Sequence, residues 1–230
     1  MTNRIVVQGE FHTSPSDARE LIADNPDAEV LFIEGRSNTI DITDRTVGYA
    51  FFLLGYLQIR LLYATVSWLQ QKRGTEFDIE SEAHDAGLDS YSDIDLELDE
   101  CYRESVGSPR KLAFGVSLCI LIAGALFPVW NGFISTPLPT SIGLILFAVT
   151  PFLYFYAVIA VILHRENVQD IVIAKSVVQH TRDGQYDSVL LLVGDSHVPG
   201  IGSYLNDVGW NVTAHRSQHR LMRLSRWMFE

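Results

Sequence analysis

Basic residues, and lysines above all, are scarce in this sequence. Its 230 residues include 17 Lys and Arg against 28 Asp and Glu, a formal net charge of -11, and only three of the basic residues are lysines. Because phosphate binding needs a basic face, this balance excludes nucleic acid as an expected partner. An acidic, lysine-poor surface suits a cytoplasm with a high salt concentration. We therefore hypothesise a salt-adapted source, such as a halophilic archaeon.

Cysteine is equally rare, with Cys101 in an acidic stretch and Cys119 in an apolar run. Their positions indicate neither a disulfide nor a zinc site. The motif HExxH is absent, which excludes the common helical zinc site. The first residues already have the pattern of a strand, so we expect no secretory signal.

Charge and histidine are missing altogether from residues 112–163. At about 20 apolar residues per crossing, this stretch is long enough for two transmembrane helices, which we predict at 112–134 and 141–163. A buried core hairpin is the alternative, but it would need a far larger protein around it. Positive charge flanks both ends of the stretch, at Arg110-Lys111 and His164-Arg165. The positive-inside rule then predicts a multi-pass protein of the cell membrane whose soluble part faces the cytoplasm.

Another apolar segment, residues 46–70, is also long enough to span a bilayer. Gln58 and Arg60 lie near its middle, where polar groups are costly in lipid. We expect a long helix that packs on the sheet and against lipid or the later helices, while spanning stays open as the alternative. Further on, Tyr91, Ile94, Leu96 and Leu98 predict a short, half-buried strand.

One pattern occurs twice, at residues 5–12 and again at residues 189–197. In each copy an apolar run ends at a glycine, and a histidine follows after two intervening residues, which gives the pattern GxxH. A helical stretch and a second apolar run come next, ending near Glu34 in the first copy and His215 in the second. The pattern predicts two βαβ halves in an α/β fold with a mainly parallel sheet. The domain organisation is then residues 1–110 and 165–230 for the two parts of the α/β domain, with the hairpin at 111–164.

The carboxyl ends of parallel strands are where ligands gather, and four residues fall at predicted ends: His12, Glu34, His197 and His215. A single histidine after a glycine is more often a turn or hydrogen-bonding residue than a ligand. Two at matching places, with a carboxylate beside them, favour a metal site formed by His12, Glu34 and His197. Such a set leaves one open position on a divalent ion, which can activate water and polarise a carbonyl.

Charged residues near this set have candidate catalytic roles. Glu10 and Asp195 occupy equivalent positions, two residues before each histidine. Glu10 could be the general base for the attacking water, whereas a turn-forming role is favoured for Asp195. Arg36 and Arg165 could stabilise an oxyanion or clamp a carboxylate, although arginines that flank membrane spans are common.

At these positions the sequence resembles the TraB/PrgY family, which is related to Tiki and more distantly to the ChaN-like group. The similar segments cover most of the soluble part and are Gly9-Glu10-Phe11-His12, Val30–Glu34 with Arg36, Gly74-Thr75-Glu76-Phe77 with Asp95 and Arg103, His164-Arg165-Glu166, and Val193–Ile201. The ordered set is specific, although each member alone is weak. Glu10 and Asp195 depart from the family, which usually has a small residue or threonine there. The position of the hairpin, between the middle segment and the arginine helix, is a second departure.

The resemblance implies a metal-assisted hydrolase fold, with peptidase activity proposed for the Tiki branch and shutdown of a peptide pheromone for the PrgY branch. Carried over by position, the functional residues are His12, Glu34, Glu76, Arg165 and His197, with Glu76 as a fourth ligand or a base. The metal would be Mn, Zn or Co.

Together these features predict a membrane-anchored hydrolase that acts on a peptide or small amide. The alternative is a non-catalytic membrane protein that binds and sequesters a peptide or signal in the same cleft. Stoichiometric metal would favour the enzyme, and ligand binding without metal would favour the binding protein. A transporter would need an oligomer, because one hairpin offers no polar pathway, and oligomerisation stays open.

Overall fold

The computed structural model describes residues 4–10, 15–35, 46–72, 78–105, 107–131, 138–163, 168–219 and 222–223. The chain divides into two compact units. The α/β unit comprises Met1–Asn38, Phe77–Glu97 and Asn167–Glu230, and the helical unit comprises Thr39–Glu76 and Leu98–Glu166.

The α/β unit is built on one five-stranded sheet in which every pair of neighbouring strands is parallel. Its strands are β1 (Arg4–Glu10), β2 (Val30–Ile33), β3 (Asp89–Tyr91), β4 (Ser188–Gly194) and β5 (Asn211–His215). Its helices are α1 (Pro15–Asp24), α3 (Ile79–Asp85), α7 (Val168–Gly184) and α8 (Val198–Asp207), with a 3₁₀ turn at Asp195–His197. The predicted α/β class with a mainly parallel sheet is confirmed.

The two repeated segments do not form separate halves of this sheet. The strand order is β3-β2-β4-β1-β5, so strands of the first segment alternate with strands of the second. The central strand, β4, pairs with β2 on one side and with β1 on the other. As a result the turn after β4 lies between the ends of β1 and β2.

Helices cover both faces of the sheet, as the unbroken apolar pattern of β4 requires. On one face, Ile5, Phe32 and Leu191 pack against α7 and α8. On the other face, Leu31 and Leu190 pack against side chains of α1 and α3. Because β4 is buried from both sides, its carboxyl end is fixed by the core.

Local sequence sets the helix boundaries. Pro15 begins α1, where the missing N–H costs nothing. Asp78 caps α3 by accepting hydrogen bonds from the backbone N–H groups of Glu80 and Ser81. The strand predicted through Leu98 is wrong in its extent, because β3 ends at Tyr91 and Leu98 begins a helix whose first turn contains acidic residues that favour a helix N-terminus.

The helical unit contains α2 (Val47–Lys72), α4 (Leu98–Glu104), α5 (Ser108–Asn131) and α6 (Leu138–Leu163). Its core is aromatic, with Tyr49, Phe52, Tyr102, Tyr154 and Phe155 all buried. In the described part of the chain, two helical segments are long and apolar enough to cross a membrane, Val47–Thr65 and Ser141–Ile159. The length and the amino-acid composition of each helix are the two criteria for this capacity.

Helices α2 and α6 approach closely at Gly55. A Cβ atom at this position would collide with the carbonyl oxygen of Pro151, so only glycine fits here. Nearby, Nε2 of Gln58 donates a hydrogen bond to the carbonyl oxygen of Ala148 at 2.8 Å. The glutamine that the sequence marks as costly in lipid therefore has a partner for its donor group.

Candidate functional site

The residues that follow β1, β2 and β4 meet at the carboxyl edge of the sheet. Glu10, at the end of β1, pairs with Gly194 at the end of β4. Glu34, directly after β2, donates its backbone N–H to the carbonyl oxygen of Leu192 at 2.8 Å. The 3₁₀ turn after Gly194 then places His197 at the same edge.

Glu34 and His197 face each other. Nε2 of His197 lies 3.7 Å from Oε1 of Glu34, and both side chains are only 11% exposed. The second carboxylate oxygen, Oε2, accepts a hydrogen bond from the backbone N–H of Gly194 at 2.5 Å. That bond orients the carboxylate so that Oε1 faces the imidazole. Two of the three residues predicted to bind a metal are therefore together.

Asp170, on α7, determines the orientation of the imidazole. Its Oδ1 lies 2.6 Å from Nδ1 of His197. An ionised carboxylate only accepts hydrogen bonds, so Nδ1 is the donor, and Nε2 is the ring nitrogen that faces Glu34. Gly200, in the first turn of α8, makes room, because a Cβ atom there would collide with Oδ2 of Asp170.

The charges around His197 favour a cation. Burial of the ring lowers its pKa, but the hydrogen bond to Asp170 and the negative charges of Glu34, Asp170 and Asp95 raise the pKa above the ordinary value of 6.5. Asp95 is itself held in place, since it accepts hydrogen bonds from Nε2 of Gln169 at 2.8 Å and from its neighbour's N–H. Carboxylates that stabilise a proton on the imidazole also stabilise a metal ion beside it.

Four other predicted site residues lie outside the described residues: His12, Arg36, Glu76 and Arg165. Within the described part, no group of three or more His, Cys, Asp or Glu side chains is placed to hold a metal ion. Asp170 does not complete a set with Glu34 and His197, because it binds the opposite ring nitrogen.

His215, the fourth predicted strand-end residue, lines a different feature. It is exposed at the end of β5 and borders a cleft of about 150 Å³ between β1, β5 and α1. The sequence placed it at the correct edge of the sheet, but its side chain belongs to that cleft.

Asp195 is buried, and it ties the end of β5 to the turn after β4. Its Oδ1 accepts the backbone N–H of Ser217 at 2.6 Å, and its Oδ2 accepts two hydrogen bonds from Arg216, at 2.9 and 3.1 Å. Gly9 provides the necessary space, because a Cβ atom there would lie 2.7 Å from Oδ1 of Asp195. Besides the turn-forming role expected from the sequence, Asp195 therefore has a structural role through its long-range hydrogen bonds.

Ser217 connects this arrangement to the first repeated segment. Its hydroxyl donates a hydrogen bond to Oδ2 of Asp17, in the first turn of α1, at 2.6 Å. Asp17, Asp195 and Ser217 are all buried. Residues 216–217, which we call the clasp, therefore link the turn after β4 with the helix that follows the first GxxH segment.

Asp170 and the clasp are the parts of the site that sequence reasoning missed. Asp170 lies 27 positions before His197 and has no motif spacing relative to it. Ser217 and Asp17 are 200 positions apart. The one signal available for Asp195 was its place inside the second GxxH segment.

No protein-family model, curated protein or solved structure matches this chain. The resemblance to the TraB/PrgY family therefore stays a prediction that depends on the residues quoted for it.

Proposed function

We propose that this protein is a membrane-attached, divalent-metal-dependent hydrolase of the TraB/Tiki type that cleaves a peptide or a similar amide. The environment of His197 is the observation that carries the proposal. Asp170 fixes Nδ1 of the ring at 2.6 Å, and Nε2 faces Oε1 of Glu34 at 3.7 Å.

The separation between Glu34 and His197 supports a shared metal ion. A separation of 3.7 Å is long for a hydrogen bond between Glu34 and His197. Two ligand atoms about 2.1 Å from one tetrahedral ion lie about 3.4 Å apart, which is close to that separation. Metal-binding histidines commonly donate their other N–H to a carboxylate, as His197 does to Asp170. His12, at the equivalent position of the first GxxH segment, would be the third ligand of Mn, Zn or Co.

The remaining predicted residues would act on the substrate. A bound divalent ion would supply Lewis acidity, polarising a carbonyl and lowering the pKa of water. Glu10, which pairs with Gly194 beside the Glu34–His197 pair, would accept the proton of the attacking water. Arg36 and Arg165 would stabilise negative charge on the carbonyl oxygen, and Glu76 would be a fourth ligand or a second base.

Metal analysis of matched variants tests the proposal. We expect the purified full-length protein to contain about one equivalent of Mn, Zn or Co and to cleave members of a peptide pool, with products identified by mass spectrometry. Both properties should be lost in His197→Ala and in Glu34→Gln, because each variant removes one proposed ligand and Glu34→Gln also removes a negative charge. His84→Ala, which changes an exposed histidine on α3, is the control.

Two outcomes would contradict the enzyme. A full metal complement in His197→Ala would show that the ion binds elsewhere. A metal-free protein that binds peptides without cleaving them would favour the alternative, a protein that sequesters a peptide or signal.

The order of the strands in the sheet constrains how the chain can cross a membrane. We propose that α5 and α6 cross the bilayer as a hairpin, with the α/β unit in the cytoplasm. Because β2, β3 and β4 belong to one sheet, they lie on one side, and the chain between any two must cross an even number of times. The hairpin gives two crossings between β3 and β4. Among the described residues, α2 is the one long apolar helix between β2 and β3, and it would give a single crossing. We therefore propose that α2 packs against α6 without carrying the chain across.

Labelling with an impermeant maleimide tests this topology. In a background without native cysteines, Ser135→Cys, which lies between α5 and α6 in the sequence, should react from outside the cell. Asp27→Cys and Asp85→Cys, which lie before and after α2, should both be protected. Outside labelling of Asp85→Cys with Asp27→Cys protected would mean that α2 crosses, which would contradict the proposed topology.

A further inference from the structure

The cleft beside β5 does not belong to the Glu34–His197 pair. Its volume is about 150 Å³. Val6 and Gln8 of β1 form its floor together with His215 of β5, and Leu21 of α1 adds an apolar wall. Two carboxylates of α1, Glu20 and Asp24, complete that wall. The cleft thus combines the aliphatic side chains of Val6 and Leu21 with polar side chains and two carboxylates.

Glu20 and Asp24 form no ion pair within the part of the chain that the structure describes. They are four residues apart on one helix, so their side chains lie on the same face. The adjacent cation of α1, Arg19, forms an ion pair with Glu82 instead. Arg216, at the other side of the cleft, is bonded to Asp195. The cleft therefore contains two carboxylates without an ion-pair partner and one guanidinium that is bonded to Asp195.

β5 is an edge strand of the described sheet and borders this cleft. It pairs with β1 on one side, and among the described strands none pairs with its other side. α8 packs against one face of β5, while Thr213, Ala214 and His215 are exposed. An edge of this kind offers unpaired backbone N–H and C=O groups to another extended chain.

We propose that an extended peptide pairs with the free edge of β5 and places a lysine or arginine side chain in the cleft. The methylene stem of such a side chain would cover Val6 and Leu21, and its charged head would reach the carboxylates of Glu20 and Asp24. Backbone pairing supplies affinity in this mode of recognition, and the side-chain pocket supplies specificity. An acidic or short side chain would leave the carboxylates unbalanced.

This inference deepens the proposed function by naming the substrate class, and it rests on that function. β5 runs parallel to β1, so a peptide that follows β5 approaches the edge of the sheet where β1 ends at Glu10. Arg216, which borders the cleft, is bonded to Asp195, two residues before His197. The bound segment would lead the peptide chain towards the proposed hydrolytic site.

Peptide binding tests the charge preference. The probe is a fluorescein-labelled octapeptide of alternating Val and Thr with one central lysine, and its anisotropy is followed with the full-length His197→Ala protein. That background removes a proposed metal ligand and keeps the cleft. The salt concentration is the lowest at which circular dichroism shows a folded protein, because salt screens exposed charges. We expect the lysine peptide to bind at least about 5-fold more tightly than its glutamate counterpart, the size that two partly exposed charge pairs give.

Variants of the protein test whether the basic side chain of the peptide binds in the cleft. The double variant Glu20→Gln/Asp24→Asn should bind the lysine peptide about 5-fold more weakly or worse, because the charge partners are gone. Glu80→Gln/Asp85→Asn on α3 makes the same change in net charge away from the cleft and should bind as the parent does. Equal binding of the lysine and glutamate peptides, or equal effects of the two double variants, would overturn the proposal.

Backbone methylation of the probe tests the strand pairing. An added strand uses the N–H groups of alternate residues, so N-methylation of one alternate set should abolish binding and methylation of the other set should spare it. If both methylated peptides bind normally, no strand is added and the proposal is wrong. Intact peptide binding without any cleavage by the protein that retains His197 would contradict the hydrolase alone. Cleavage by that protein that is indifferent to Glu20→Gln/Asp24→Asn would contradict the cleft alone.

Discussion

Replacing Asp195 with alanine is expected to lower the free energy of unfolding by about 3–5 kcal/mol, the usual cost of removing one partner from a buried ion pair. Asp195 is 1% exposed and accepts three hydrogen bonds, two from Arg216 and one from the N–H of Ser217. Alanine would leave all three donors without this acceptor. Thermal or urea unfolding followed by circular dichroism measures the change.

Ser196→Ala is the matched control, because Ser196 lies in the same turn and is exposed. A surface substitution of that kind changes stability by no more than about 0.5 kcal/mol. If Asp195→Ala is as mild as Ser196→Ala, the clasp does not contribute to the stability of the α/β unit.

Replacing Gly200 with alanine is expected to reduce metal affinity by about 10- to 100-fold, the effect typical of losing a residue that orients a metal ligand. The added Cβ atom would collide with Oδ2 of Asp170 and push this carboxylate away from Nδ1 of His197. No proposed metal ligand is changed. Competition against a chromogenic chelator measures the affinity.

Gly202→Ala provides a control in the same helix. A Cβ atom at Gly202 would make an ordinary contact with Ala214 at 4.0 Å, so this substitution brings the same gain in helix propensity without the collision. Equal metal affinity in the two alanine variants would mean that Asp170 does not orient His197. Asp170→Asn should weaken metal binding in the same direction as Gly200→Ala, because the amide would no longer fix the ring as a carboxylate does.

The sheet shows which parts of the fold were accessible from sequence. The apolar runs that became β1, β2 and β4 end at Gly or Glu, and their lengths and boundaries are local properties of the chain. The order of the strands is not local. Nothing in the periodicity of β1 indicates that β4 lies between it and β2, because that choice depends on how helices cover both faces.

The functional site was likewise predictable from the sequence only in part. Glu34 and His197 were predicted because each follows a strand, and parallel strands bring their carboxyl ends to one edge. Asp170 was missed because its role depends on how α7 packs against the sheet, which the sequence of α7 does not reveal. A correct prediction of the edge therefore did not extend to the residue that orients the histidine.

Anomalous scattering at the metal absorption edge, in crystals of the metal-loaded protein, tests the central claim most directly. We expect one ion within about 2.0–2.2 Å of both Nε2 of His197 and Oε1 of Glu34, with the imidazole of His12 as the third ligand. An ion bound elsewhere, or a His12 side chain too far away to share an ion with His197, would contradict it.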